Sequence, residues 1–201
     1  MQTLDKKSQT SQKAQSVDRR IRKTQEAIMD AFVGLMAERD FEHITINDIA
    51  ERADVNRGTV YLHYTDKFDL LDQCIETYLA ELLASCVDTD NPDFPSKTSL
   101  IRAFNHLEQN TFFYNALRAN KGFPAFRTRL MAVLVSNLNE QIDRNNIKLD
   151  MNKEISVQFL ASAISGIVEW WITNSMPYPA AEMADQLWLL FERMRVASTV
   201  N

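Results

Sequence analysis

The amino-acid sequence predicts an all-α fold, with a small N-terminal helical domain followed by a larger helical C-terminal domain. Glycine and proline are scarce, at 4 and 5 of 201 residues, whereas a large β-protein with many tight turns would usually need more of both. Apolar residues recur at helical spacing, and no long segment alternates between polar and apolar residues. With 45% hydrophobic and 24% charged residues, the composition fits a globular protein with a buried core.

Charge is distributed unevenly along the chain. Residues 1–23 contain seven basic and two acidic residues, a charge of +5, and because the net charge is −5 the rest of the chain carries −10. Residues 1–17 are mostly Ser, Gln, Lys and Thr, and they are predicted to form a disordered basic arm. A basic arm on an acidic body can contact DNA locally while the body repels non-specific contact.

The sequence is expected to belong to a cytoplasmic protein without membrane contact. Its longest apolar run, residues 159–168, is about half the ~20 residues that span a bilayer. The polar N-terminus has no apolar segment of the kind that signal peptides carry. Cys74 and Cys86 are expected on one helix and about 18 Å apart, which is too far for a disulfide. They are interpreted as buried thiols, with redox sensing as the alternative.

Capping residues mark the predicted helices of the N-terminal domain. One helix runs from Asp18 to about Asp40. Thr45 begins a short helix through Ala53 and can form a capping box with Asp48. After a break at residues 54–55, Asn56 begins a second short helix through Tyr64, and Asp66 caps a long helix over residues 67–85. The predicted domains are the arm 1–17, a DNA-binding domain 18–66 and a C-terminal domain 67–201, in which residues 67–85 form the connecting helix.

Four further helices are predicted in the C-terminal domain, after a linker rich in Pro, Asp and Asn over residues 88–97. Breaks are marked by Gly122–Pro124, by two asparagines at 145–146 and by the segment Met176–Pro179. The predicted helices cover residues 98–119, 124–145, 152–175 and 179–197.

Residues 45–64 have the size and spacing of a helix-turn-helix, whose second helix enters the major groove. On that helix, Arg57 can donate two hydrogen bonds to guanine. Gly58 allows close backbone approach, and Thr59 can contact thymine or phosphate. Val60 and Tyr64 are expected to face inward, although Tyr64 stays among the candidate DNA contacts. The side chains expected to reach phosphates are Tyr61, His63 and Lys67, the last beside the N-terminal amides of the next helix.

This stretch resembles the DNA-binding domain of the TetR family of bacterial regulators, over about residues 20–71. The matching residues are Phe41, Thr45, Asp48-Ile49-Ala50, Ala53, Arg57-Gly58-Thr59, Tyr61, His63-Tyr64, Lys67 and Leu70-Leu71. The resemblance implies a homodimer that binds a near-palindromic operator in double-stranded DNA. It implies base contacts from Asn56, Arg57, Gly58 and Thr59, and backbone contacts from Thr45, Tyr61, His63 and Lys67. One departure is Asp54, which stands where the family usually has glycine in the turn.

The C-terminal part is loosely similar to a TetR branch of Gram-positive bacteria that includes regulators of dihydroxyacetone metabolism. The similar phrases are Asn110–Tyr114 and Gly166–Trp171, followed by the turn at Met176–Pro179. In the family, the last two long helices usually pair across a dimer. The interface residues expected on this basis are Ala163, Gly166, Leu187, Leu190, Phe191 and Met194. Candidates to line an effector pocket among the middle helices are Phe104, Phe112, Phe113, Leu117, Phe126, Leu130, Phe159 and Trp170, although an aromatic stripe at helical spacing more often belongs to the core than to a ligand pocket.

The sequence predicts a regulator rather than an enzyme. It contains no nucleophile elbow, no phosphate-binding glycine loop and no cluster of residues at metal-ligand spacing, so no catalytic residue, cofactor or metal is expected. The favoured hypothesis is a repressor that an unknown small-molecule effector releases from its operator. The alternative is an activator, or a regulator controlled by a partner protein. In the favoured hypothesis, helix 67–85 is expected to transmit the signal by a shift between populations.

Overall fold

The computed structural model describes residues 2–86, 96–120, 122–144 and 151–198, with side chains from Asp18 to Arg193 within these ranges. Throughout these ranges every regular element is a helix, which confirms the predicted all-α class. The chain divides into two compact units, Met1–Cys74 and Ile75–Asn201. The boundary therefore falls inside a long helix and not at residues 66–67, where the sequence predicts it.

The first unit contains the predicted helix-turn-helix. Helix α1 is followed by a 3-10 turn at Phe41–His43, and α1 packs on α2, which packs on α3. Its buried core includes Ile28, Phe32, Ile49 and Leu70. The helices are α1 (Gln2–Glu38), α2 (Ile46–Arg52), α3 (Arg57–His63) and α4 (Lys67–Cys86), the last continuing into the second unit.

Helix α1 begins earlier than predicted. Its backbone is helical from Gln2, whereas the sequence predicts a disordered arm over residues 1–17. The physical reason lies in the composition, because Lys, Gln and Ala are good helix formers and no Gly or Pro occurs before Gly34.

The second unit is a bundle of helices. Helix α5 packs against α9, α7 packs against α8, and α6 lies on both α7 and α8. The largest fully buried side chain is Trp171, whose ring makes an edge contact with Phe104 at 5.2 Å. The helices are α5 (Lys97–Gln109), α6 (Thr111–Ala119), α7 (Phe123–Arg144), α8 (Lys153–Thr173) and α9 (Ala180–Ser198).

The single helix predicted over residues 98–119 is wrong, because the structure breaks it at Asn110. This residue ends α5 and begins α6 with φ −102° and ψ 23°. Its side-chain Nδ2 donates to the backbone oxygen of His106 at 2.8 Å, and the hydroxyl of Thr111 donates to the backbone oxygen of Glu108. These side chains satisfy backbone carbonyls at the end of α5, which allows the chain to change direction without Gly or Pro.

Helix α8 is the one described helix that is long and apolar enough to cross a membrane by length and composition. It packs against α7, and its residues Ala161 and Trp171 are fully buried in the second unit. Burial of this kind is typical of a core helix.

Candidate nucleic-acid interface

The capping box predicted at the start of α2 is present. The backbone N–H of Asp48 donates to the Thr45 hydroxyl at 3.2 Å, and the backbone N–H of Thr45 donates to Asp48 Oδ2 at 2.8 Å. The Thr45 hydroxyl and backbone N–H both bind the Asp48 carboxylate and hold its pKa below the usual range. This reciprocal pair fixes the first turn of α2, on which α3 packs.

The turn between α2 and α3 depends on Asp54. Its φ is 53°, in the left-handed region, and its backbone N–H donates to the oxygen of Glu51 at 3.2 Å. The next residue, Val55, donates to the oxygen of Ala50 at 3.0 Å. Asp54 thus adopts the left-handed conformation at the position where the family usually has glycine, and aspartate tolerates this conformation better than most residues.

Helix α3 is held by its inward side chains. Val60 and Tyr64 are one turn apart and are 0% and 1% exposed. Thr59 and His63 are half-buried, and Arg57, Gly58 and Tyr61 are exposed. Asn56 occupies the N-cap position and is exposed, but its side chain makes no capping hydrogen bond. The structure thus brings the predicted base-reading residues together at the start of one helix.

Arg57 and Tyr61 form a pair on the exposed surface of α3. The guanidinium of Arg57 donates to the Tyr61 hydroxyl at 3.2 Å and lies 5.4 Å from the centre of the Tyr61 ring. This contact restrains the Arg57 side chain, which would otherwise sample many rotamers. Arg57 would therefore lose less conformational entropy when it binds another molecule.

Gly58 leaves the backbone of α3 open beside this pair. A Cβ atom built at Gly58 would meet no heavy atom within 4 Å. The protein itself therefore does not require glycine here, and the open space is available to an external surface.

The inclusion of Tyr64 among the DNA contacts is wrong. Its side chain is buried in the first unit, and its hydroxyl has no hydrogen-bond partner in the described part of the chain. Burial raises the pKa of this hydroxyl to about 12. Tyr64 is a core aromatic that sets the orientation of α3.

The structure also contradicts the phosphate contact predicted for Lys67. Its Nζ donates to the backbone oxygens of Phe41, Glu42 and Ile44 at 2.9, 3.0 and 3.1 Å, so all three ammonium protons have acceptors. The amides at the start of α4 are occupied as well. Asp66 Oδ1 accepts from the backbone N–H groups of residues 68 and 69 at 2.8 and 2.9 Å, as the predicted cap requires. Lys67 thus ties the 3-10 turn to α4.

One exposed residue of α3 is missed by the sequence analysis. Leu62 follows Tyr61 and is 81% exposed. The signal is present in the sequence, because Leu62 lies two residues from both Val60 and Tyr64 and hence on the opposite side of a helix.

The eight side chains proposed to line an effector pocket do not form one site. Five are core residues of the second unit, where the aromatic rings pack closely. Tyr78 stacks on Phe113 at 3.7 Å, and Tyr114 meets Phe126 edge-on at 5.2 Å. The buried residues are Phe104, Phe113, Leu117, Phe126 and Leu130, and the exposed ones are Phe112, Phe159 and Trp170. Sequence periodicity cannot separate these two groups because both show apolar residues at helical spacing.

The residues predicted to form the dimer interface also differ in burial. Leu187 and Phe191 are buried on α9, which packs against α5 of the same chain, so they are not available to a partner. Gly166 and Leu190 are exposed and Ala163 is half-buried. The side chain of Met194 lies outside the described residues.

Neither cysteine lies in surroundings that favour its thiolate form. Burial raises the pKa of Cys74 to about 12 and that of Cys86 to about 11. Both are free thiols. Cys74 is buried, as the sequence analysis predicts, and Cys86 is half-buried. Among the described residues, no group of three or more His, Cys, Asp or Glu side chains could hold a metal ion.

Two family models match most of the chain. Residues 28–74 match "Bacterial regulatory proteins, tetR family", and residues 96–193 match "Transcriptional regulator C-terminal region". Both describe regulators, in agreement with the prediction that the chain is not an enzyme.

Individual relatives agree with these matches. The chain is 26% identical over 86% of its length to the uncharacterized HTH-type transcriptional regulator YxbF of Bacillus subtilis, of which it covers 46%, about half. It is 22% identical over 82% of its length to the probable acrEF/envCD operon repressor of Escherichia coli, of which it covers 83%. The solved structure of the dihydroxyacetone kinase operon activator DhaS superposes with a TM-score of 0.66 at 23% identity, over 86% of this chain and 97% of that one. This last likeness shows the fold.

Replacing Lys67 by methionine should destabilise the protein because three carbonyls lose their shared donor. We expect the free energy of unfolding, measured by urea denaturation, to fall by about 2 kcal/mol. The control is Lys97→Met, which removes an exposed ion pair with Asp185 and should cost less than about 1 kcal/mol. Equal stability of the two variants would contradict the structural role of Lys67.

Tyr61 lies on α3, and Tyr64 is its C-cap residue. Loss of the hydroxyl should change protein stability at Tyr64 and DNA affinity at Tyr61. Tyr64→Phe removes a buried, unpartnered hydroxyl, so stability should rise by about 1 kcal/mol and DNA affinity should not change. Tyr61→Phe removes an exposed hydroxyl that binds Arg57, so DNA affinity should fall several-fold with little change in stability. Urea denaturation and DNA titration measure both quantities. Weaker DNA binding by Tyr64→Phe would show that the Tyr64 hydroxyl contributes to the DNA interface.

Proposed function

The chain belongs to the TetR family of bacterial transcriptional regulators, and on that premise we propose that it is a cytoplasmic repressor that binds a near-palindromic operator as a homodimer and leaves it when a small-molecule effector binds. The observation that carries the DNA-binding part is the orientation of α3. Val60 and Tyr64 are buried, and Arg57, Gly58 and Tyr61 therefore face outward. A helix with these residues at its N-terminal end suits the major groove.

In this proposal Arg57 reads a guanine, and the polar residues around it fix the register. Thr59 and Asn56 flank Arg57 at the start of the helix, and Tyr61 and His63 contact phosphates. Thr45, which is exposed at the start of α2, contacts the sugar-phosphate backbone of the DNA. Phosphate contacts position the protein, and the base contacts supply specificity.

An exposed apolar face of α8 supports the proposed dimer. On α8 the exposed residues Ile155, Phe159, Gly166 and Trp170 are spaced so that they follow one side of the helix. Phe159 and Trp170, which the sequence assigns to a pocket, thus belong to this surface. A groove of about 400 Å³ runs between α7 and α8 beside Gly166, whose absent side chain allows close approach. We propose that the same face of a second copy covers this surface.

The effector is proposed to bind in the second unit. The Tyr114 hydroxyl is buried within the aromatic core and has no hydrogen-bond partner among the described residues. Burial raises its pKa well above the usual range, so it stays a neutral donor. An apolar effector with one acceptor could satisfy this hydroxyl if the surrounding rings separate.

Coupling between effector and operator would pass through α4, since this helix belongs to both units. DNA binding requires the two copies of α3 to lie about 34–36 Å apart, or a multiple of that distance. An effector that favours another spacing would shift the population of dimers away from the DNA-binding state.

Comparing transcription with and without the protein tests whether it represses or activates. One relative is a probable repressor, and the structural neighbour DhaS is an activator of a dihydroxyacetone kinase operon. Transcription in vitro from the operator-containing promoter should decrease when the protein is added. An increase would establish the activator alternative and leave the DNA-binding proposal intact.

Substitution of Arg57 tests the DNA-binding proposal. The protein should prefer DNA flanking its own gene over a scrambled duplex by about 10³-fold or more. Arg57→Ala should lower this preference by 10- to 100-fold at both low and moderate salt, because it removes a base contact. The control is Arg144→Ala, which removes an exposed arginine from the end of α7. If Arg57→Ala and Arg144→Ala bind equally well, α3 is not the reading helix.

Two exposed phenylalanines provide a matched test of the dimer. Phe159 on α8 is 56% exposed and Phe112 on α6 is 58% exposed. Phe159→Glu should convert the dimer to a monomer in sedimentation-velocity experiments, because it places a charge in the apolar face. Phe112→Glu should leave the dimer intact. If only Phe112→Glu dissociated the dimer, the interface would lie on α6 and not on α8.

A further inference from the structure

Leu62 is the most exposed of the large apolar side chains in the described part of the protein. It is 81% exposed, compared with 68% for Ile155. A leucine so exposed contributes little to the core, and its position in the last turn of α3 places it beside the residues that the proposed function assigns to DNA.

Helix geometry defines the direction in which Leu62 projects. Each residue of an α-helix rotates by about 100°, so residues two positions from Val60 lie nearly opposite it. Gly58 and Leu62 are these residues, and they are one turn apart on the outermost side of α3. Gly58 presents bare backbone at that side, and the Leu62 side chain is highly exposed there.

The chemistry of Leu62 restricts what it can contact. Its neighbours Tyr61 and His63 can donate hydrogen bonds, but leucine offers only an apolar surface. In the major groove the apolar group that a base presents is the 5-methyl of thymine. We propose that Leu62 contacts the methyl group of one thymine in each operator half-site and so contributes to sequence specificity; this inference rests on the proposed function.

The surroundings of Leu62 favour DNA over a protein partner. Phe68, an exposed apolar residue that follows Leu62 at the start of α4, makes an edge contact with Phe41 at 5.1 Å. Tyr61 is engaged by Arg57. Leu62 is therefore a single protruding group flanked by polar residues, whereas protein-binding surfaces present contiguous apolar patches.

Replacing thymine by deoxyuridine tests the inference, because this change removes only the methyl group. Each thymine of the selected operator would be replaced symmetrically in both half-sites, and affinity would be measured for the unmodified protein, Leu62→Ala and Met151→Ala. Met151 is an exposed apolar residue outside the helix-turn-helix and is the matched control. At one symmetric pair of thymines, the unmodified protein and Met151→Ala should lose about tenfold in affinity, which corresponds to one buried methyl per half-site. Leu62→Ala should lose less than about twofold there.

The outcomes separate the inference from the proposed function. Specific operator binding with equal loss for all three proteins at every thymine would overturn the role of Leu62 and leave the DNA-binding proposal standing. The same conclusion would follow if Leu62→Ala bound as tightly as the unmodified protein to the thymine-containing operator. Absence of any preference for operator DNA over a scrambled duplex would overturn both.

Discussion

Burial of Val60 and Tyr64 is the constraint on which the first unit, and with it the proposed DNA interface, depends. These two side chains fix the rotation of α3 about its own axis, and this rotation decides which of its seven residues face outward. A turn of 100° would place another set of residues at the surface and remove Arg57 or Gly58 from it. The capping box of Thr45 and Asp48 adds to this constraint by fixing α2, on which α3 packs.

Several charged groups of the first unit stabilise it through internal contacts. Lys67 binds three backbone carbonyls, and Asp66 occupies the first amides of α4. Arg52 pairs with Glu38 at 2.6 Å and lies across Gly34, where a side chain would collide with its guanidinium. In the proposed function, affinity for DNA comes from the exposed residues of α3 and from the basic residues within positions 1–23, while the acidic remainder of the chain limits non-specific binding.

Features that depend on neighbouring residues could be predicted from the sequence, and features that depend on distant contacts could not. The caps at Thr45 and Asp66 and the turn at Asp54 follow from local chemistry, and the structure contains all three. The acceptors of Lys67 lie at least 23 residues away in sequence, so no local pattern identifies them. Apolar spacing likewise identifies Phe159 as facing one side of a helix but cannot show whether that side meets the core or solvent.

Methylation interference at guanine N7 tests the central claim that the buried pair Val60–Tyr64 aims Arg57 at a guanine in each of two half-sites. Operator DNA would be methylated sparsely, bound by the protein, and separated into free and bound fractions. We expect two symmetry-related guanines whose methylation prevents binding, separated by about 10 base pairs or a multiple of one helical turn, and both should lose their effect in Arg57→Ala. Binding that is insensitive to guanine methylation, or the same pattern in Arg57→Ala, would show that Arg57 does not contact guanine.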